Sequence, residues 1–311
     1  MSTEIEQGTE QPDAAANVVA DPSAQPTPEE QRKKEFNPEV HVYLPHVIGL
    51  PPLRPYLREV WKRREFAKEL TWTNLRSAHL NTAFGQLWLV LNPILLSLVY
   101  FILVDILRAG RHPPGFFAHL TAGIFVYYFV SGSIRESTRS IVGGGRLILN
   151  TAFPRVLLPL STVATALVRF IPTIGIYMII HAASGLPWTF HMLWVFPMMA
   201  IFALIAAGVS MFVAALQVYF RDFKNFMPYL LRIWLYGSPV LWYADQLPER
   251  YNFVLYANPL GSLLKAWDDV LTQASSPLAS DILIGLAWGI ALFLAGGLFF
   301  MSRERDFAVR L

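Results

Sequence analysis

The sequence predicts an all-α, polytopic membrane protein with six transmembrane helices. Three observations predict it. Apolar runs near 20 residues recur along the chain, and about 20 apolar residues are needed to cross a bilayer core as a helix. Charged residues make up 15% of the 311, well below the roughly 25% of a soluble domain. Lys and Arg stand beside the apolar runs, so the net charge of +3 points to a membrane boundary and not to nucleic acid. A transmembrane barrel would show short alternating segments instead.

The elements follow in order. Residues 1–55 read as a disordered cytoplasmic tail and linker. The first 30 hold seven acids (Glu4, Glu6, Glu10, Asp13, Asp21, Glu29 and Glu30), no Lys or Arg and no apolar core, so they do not form a signal peptide. A docking tail for a partner is the alternative. Pro38, Pro45, Pro51, Pro52 and Pro55 then forbid a regular helix. Residues 56–80 read as an amphipathic interface helix. Leu57 and Trp61 share a face, as do Phe66 and Leu70, and Lys62, Arg63, Arg64 and Lys68 supply a basic side.

The membrane domain is placed at 84–303. Its spans are expected at about 87–107, 116–134, 163–183, 192–216, 227–243 and 282–301. Residues 244–280 form a long loop with a helical pattern, and 304–311 form a second tail. Six spans put both termini on one side. That side collects 19 Lys and Arg residues, against four on the other (Arg108, Arg111, Arg250 and Lys265). The positive-inside rule therefore places both termini in the cytoplasm.

Motifs that would mark an enzyme or a motor are missing. GGGRLILN at 143–150 has the glycines of a phosphate loop but lacks the Lys-Ser/Thr pair. If ATP and magnesium drive this protein, a partner chain binds them, and no cofactor is expected here. The seven histidines show no metal-binding spacing, so neither a catalytic residue nor a metal ligand is assigned. Arg169 and Arg232 fall within or near spans, where a charge is costly. They either snorkel to the surface or face a wet cavity and contact a lipid diphosphate. Tyr127, Tyr128, Trp234 and Tyr236 are candidate channel aromatics, with interface packing as the alternative.

Five short motifs then stand out in order: FGQLWLVLNPIL at 84–95, LILNTAFPRVLLPLS at 147–161, YFRDF at 219–223, YGSPVLWY at 236–243 and YANPLGSLLKAW at 256–267. Together they resemble the permease subunits of type-2 ABC transporters, in the branch that exports O-antigen, teichoic acid and galactan. The acidic, Pro-rich tail looks nearest to the mycobacterial exporters of lipid-linked galactan. The resemblance implies a homodimer in the bacterial plasma membrane that moves a polyprenyl-diphosphate-linked polysaccharide outward, powered by two copies of a separate ATPase. It implies a cytoplasmic coupling helix at about 146–155, on which Arg146, Ile148, Leu149, Asn150, Phe153 and Arg155 contact the ATPase. Helix geometry agrees: Ile148 and Ala152 share a face with Leu149 and Phe153, opposite Arg146 and Asn150, and Pro154 ends the helix after Phe153. The resemblance also implies re-entrant gate helices within 244–280 on the outer face. Asp268 and Asp269 would make that mouth acidic, where some relatives carry Arg. The alternative functions are a type-2 permease for a small drug or lipid, and a membrane-embedded enzyme of glycolipid metabolism.

Overall fold

A computed structural model describes residues 50–77 and 84–311. Residues 1–49 of the expected tail and linker (1–55) and residues 78–80 of the expected interface helix lie outside the described residues. Residues 53–55 of that linker are already helical, because Pro55 falls in the first turn, where its missing N–H has no partner to lose. Helices and turns make up the described chain. In order they are α1 (Leu53–Lys62), α2 (Arg64–Ser77), α3 (Trp88–Leu107), α4 (Phe116–Gly143), α5 (Gly145–Asn150) and α6 (Leu157–Ala183). Then come α7 (Val195–Tyr219), α8 (Phe223–Tyr236), α9 (Asn252–Ala257), α10 (Gly261–Leu271), α11 (Ala279–Arg303) and α12 (Phe307–Arg310).

Among the described residues, five helical segments are long and apolar enough to cross a membrane: α3, α4, α6, α7 with the short turn before it, and α11 with the tail after it. The expected fifth span over 227–243 is not such a helix. α8 has 14 residues, about 21 Å at 1.5 Å per residue, against a bilayer core of about 30 Å. Gly237, Ser238 and Pro239 end it, and 237–243 continue as turns. The chain still passes from one end of the molecule to the other here, because Tyr219 meets Asp306 at 2.9 Å while Tyr243 stacks on His119 at 4.0 Å.

α4 is the axis of the fold, packing against α3, α6, α7, α8 and α10. Its 28 residues run nine beyond the expected end of the second span, so Arg135, Glu136 and Arg139 lie on a helix and not in a loop. The core cluster around it is built of aliphatic and aromatic side chains, with Phe116, Leu120, Ile124, Phe202, Leu260 and Leu263 almost fully buried. α7 and α11 approach closely at two glycines. A Cβ on Gly296 would collide with the carbonyl of Gly208, and one on Gly208 would strike the Leu292 backbone. Small residues at such crossings let helix backbones touch in a lipid environment.

The elements separate into two ends. The proximal end gathers α1, α2, α5, the 219–223 turn, and the tail from Glu304 to Leu311. The distal end gathers the start of α4, the 240–243 turn and α10. The expected interface helix is two helices joined at Arg63, whose φ of −95° and ψ of 17° break the first run. α2 lies along α6. Leu57, Trp61 and Trp72 remain exposed, as an interfacial helix with an apolar side toward lipid requires.

Candidate functional site

At the proximal end a buried carboxylate ties three parts of the chain together. Glu304 accepts a hydrogen bond from the Tyr56 hydroxyl at 2.5 Å and one from the Arg155 backbone N–H at 2.5 Å. The Arg155 guanidinium donates to the Glu304 carbonyl. Burial, reinforced by the adjacent carboxylate, pushes the Tyr56 phenol far above its usual range, so it stays a donor. Beside this hub, the Tyr219 hydroxyl donates to Asp306, and the guanidiniums of Arg303 and Arg310 lie over the Tyr219 ring. Interface helix, the turn after α5 and the tail are thus tied to one another.

α5 sits on this body. The expected helix over 146–155 is shorter: it ends at Asn150, and Thr151 is already extended at φ −139° and ψ 133°. Ala152 and Phe153 therefore leave the face expected for them. Ile148 is buried, while Leu149 is 62% exposed, so these two do not share a face. Phe153 is half-buried against the Phe66 ring at 4.9 Å. Arg155 is taken up by Glu304, which leaves Arg146, Leu149 and Asn150 as the outward residues of the expected set.

A cleft opens above α5, between α4 and α6. Its lower chamber, about 620 Å³, is bounded by α2, α4, α5 and α6 and carries Arg139, Arg146 and Arg169. Its upper chamber, about 260 Å³, lies between α3, α4 and α6 and is lined mainly by rings and aliphatic groups. Glu136 and Arg169 belong to both chambers. They form an ion pair, and Arg169 also donates to the Asn74 carbonyl at 3.4 Å. The Arg169 Nε is buried without a hydrogen-bond partner among the described residues. Arg169 thus has a partner that sequence reasoning missed, because Glu136 was assigned to a loop. Arg232 is exposed on α8 and lines neither chamber.

The candidate channel aromatics scatter. Tyr127 is buried, its hydroxyl bonded to the Leu231 carbonyl, and it lines neither chamber. Tyr128 lines the upper chamber. Trp234 donates through Nε1 to Asn258 Oδ1 at 2.7 Å. Tyr236 is exposed, edge-on to Tyr100.

At the distal end, α10 is buried along nearly its whole length. Asn258 positions it: its amide donates to the Gly237 carbonyl and the Ser238 hydroxyl, each at 2.9 Å, and its Oδ1 accepts from the Leu260 N–H at 3.0 Å. The expected acidic mouth is not there. Asp268 and Asp269 are both buried. Asp268 is 2.7 Å from His119 Nδ1 and accepts from the Thr272 hydroxyl at 2.6 Å. Asp269 is 3.8 Å from Lys265, which also bonds Asp281 at 2.8 Å. A carboxylate at such depth survives only with partners, and these residues supply them.

Residues 66–271 match the model of the ABC-2 type transporter family. The chain is 27% identical over 207 residues to an O-antigen export system permease protein RfbA of Klebsiella pneumoniae, covering 66% of this chain and 80% of that protein. It is 26% identical over 255 residues to an O-antigen export system permease protein RfbA of Myxococcus xanthus, covering 81% and 97%. The family match begins in α2 and ends with α10, so it takes in the cleft, α5 and the distal helices. The chain is a multi-pass membrane protein, and it belongs to the ABC-2 type transporter family.

Proposed function

We propose that the chain is the permease subunit of an ATP-driven exporter that carries a polyprenyl-diphosphate-linked polysaccharide, galactan in the narrowest reading, from the cytoplasm to the outer face. The carrying observation is the alignment with O-antigen export permeases over as much as 81% of the chain. Geometry supports the same reading in three places.

First, α5 stands out from a rigid proximal body with Leu149 exposed between Arg146 and Asn150. An apolar tip flanked by polar residues suits insertion into a groove on a separate ATPase. Ile148 and Phe153 anchor the tip from behind, and Arg155 ties it to Glu304. Second, α3 and α8 leave apolar faces uncovered, including Leu98, Ile102 and Leu103 on one and Phe226, Tyr229 and Ile233 on the other. A second copy would cover them, with Tyr236 and Arg232 beside the shared path. Third, the proximal end bears most of the basic residues, which orients it and both termini to the cytoplasm of the bacterial inner membrane. ATP and magnesium then belong to two partner ATPase chains. Their closure pushes α5, and the two permeases shift between closed and open packings. Arg169 and Arg232 are the candidate contacts for the diphosphate.

Depletion of the chain tests the reading. Lipid-linked glycan should accumulate in the inner leaflet and return to the surface on re-expression, and its sugar analysis should give galactose. Accumulation of another sugar would overturn galactan alone. Unchanged surface glycan together with raised sensitivity to a small hydrophobic compound would overturn the glycan reading. Orientation has its own test: a cysteine replacing Ser276 should label in intact cells, and one replacing Thr151 only after permeabilisation. The opposite pattern would invert the topology.

A further inference from the structure

We propose that the two-chamber cleft between α4 and α6 is a docking site for a single-chain lipid with a diphosphate head, and that Glu136 is a built-in counter-ion which the head displaces from Arg169. The inference rests on the reading of the chain as a permease for a lipid-linked glycan and names how the carrier lipid is held before transport.

Charge argues for the head. Among the described residues of the cleft, Arg135, Arg139, Arg146 and Arg169 face one carboxylate, Glu136. The surplus is three positive charges, and a diphosphate carries about two or more negative ones. Arginine forks hold phosphate oxygens in pairs, which a lysine cannot match. Arg169 sits where the chambers meet, with its Nε buried and unpartnered while its Nη1 is held by Glu136. Glu136 is half-buried on α4, with 41% of its side chain exposed, so water can solvate the carboxylate once a stronger anion takes Arg169. Without a ligand, the pair keeps a lone guanidinium from facing an apolar wall, which would cost several kcal/mol.

Shape argues for the tail. The upper chamber adjoins Arg169 and is bordered by Phe125, Phe129 and Phe170 and by Trp88 on α3. At about 260 Å³ this slot between three helices takes the head-proximal part of one chain, the rest lying along lipid, and not the two chains of a glycerophospholipid side by side. Rings and aliphatic groups make up half of its lining, beside Asn92, Ser131, Thr173 and the charged residues at its mouth, and that apolar half suits the methyl-branched surface of an isoprenoid. The lower chamber reaches Ser77 at the end of α2 and Gly143 and Gly144 at the end of α4, at the proximal side where a head group from the inner leaflet would lie. The head therefore meets α5 through Arg146. Occupancy of the cleft and the position of α5 are linked by one side chain.

Native mass spectrometry of the full chain, purified in detergent, tests the proposal. The probes are undecaprenyl diphosphate, undecaprenol, inorganic pyrophosphate and phosphatidylglycerol. Undecaprenyl diphosphate should bind at least tenfold more tightly than each of the others. Arg139→Gln, at an exposed position that folding does not require, should weaken that probe about fivefold and leave undecaprenol unchanged. Glu136→Gln should tighten it several-fold by freeing Arg169. Equal binding of undecaprenol would remove the head site, and equal binding of pyrophosphate would remove the tail slot. Equal binding of phosphatidylglycerol would make the cleft an ordinary lipid seat. Weaker binding by Glu136→Gln would overturn the counter-ion role. The two readings fail separately. Selective binding without glycan export in cells would overturn the function and keep the cleft. Glycan export without selective binding would overturn the cleft and keep the function.

Discussion

The two ends of the molecule handle charge in opposite ways. At the distal end, Asp268, Asp269 and Asp281 are sunk among helices, Asp268 against His119 and the other two sharing Lys265. At the proximal end, Arg135, Arg139 and Arg146 stay exposed, and a single buried acid, Glu304, fastens Tyr56 and Arg155. The distal carboxylates are met from within the chain, although Asp281 Oδ1 and His119 Nε2 have no hydrogen-bond partner among the described residues. The proximal end is finished within its own body but presents a surplus of cations and one apolar tip outward. The difference teaches where outside molecules act on this fold: anionic ligands and protein partners find their complement on one side of the bundle, not on both.

Three substitutions break or sharpen that contrast. The largest loss of stability should come from Glu304→Ala, which strips two hydrogen bonds to a buried carboxyl and leaves the half-buried Tyr56 hydroxyl and Arg155 N–H without their acceptor. At about 1.5–3 kcal/mol for each such bond, a drop of about 3 kcal/mol or more should appear as a lower thermal midpoint in detergent. An unchanged midpoint would mean that the proximal body is not held by this hub. Asp268→Ala comes next. It leaves His119 and Thr272 facing an apolar wall, at about 1–3 kcal/mol, and it should increase labelling of a cysteine placed in α10 from the outer side. Equal labelling would show that α10 is held by packing alone. The smallest effect on stability belongs to Leu149→Asp, expected within about 0.5 kcal/mol because the residue touches little. Its effect should appear instead as lost pull-down of the partner ATPase and lost export. Normal coupling in that variant would move the docking surface off α5.

Much of this architecture was legible. α3, α6, α7 and α11 are long apolar runs bounded by polar turns, and the expected spans fall on them within a few residues. The run over 227–243 misled because Val240, Leu241 and Trp242 are as apolar as a helix would be. Apolarity records burial, and here a turn is buried: Val240 packs against Gly123 inside the bundle. The signal that a helix stops was present in Gly237-Ser238-Pro239. α5 was read too long for the converse reason. Pro154 marks a limit, but the helix gives out at Thr151, where tertiary contact draws Phe153 toward Phe66.

The sites were harder to see. Arg169 was picked out because a cation in a span demands a partner. The partner, 33 positions earlier, was hidden by ending α4 at the apparent edge of its apolar stretch. A helix can outlast its apolar stretch when it leaves the membrane, and α4 does. His119 and Asp268 lie 149 positions apart, and no local pattern joins them. The aromatic cluster Tyr127 to Phe129 suggested a lining, yet neighbours on a helix point in different directions, so Tyr127 is core while Tyr128 faces the cleft.

α4 has one more consequence. It begins at Gly115, in a left-handed conformation, carries His119 one turn later, and ends at Gly143 against α5. Its 28 residues contain no proline, one of the causes of a sharp bend, and run as one unbroken helix about 42 Å long. One continuous helix thus carries at one end the turn into α5 and at the other the His119–Asp268 contact, so a tilt of α4 as a unit would move both together.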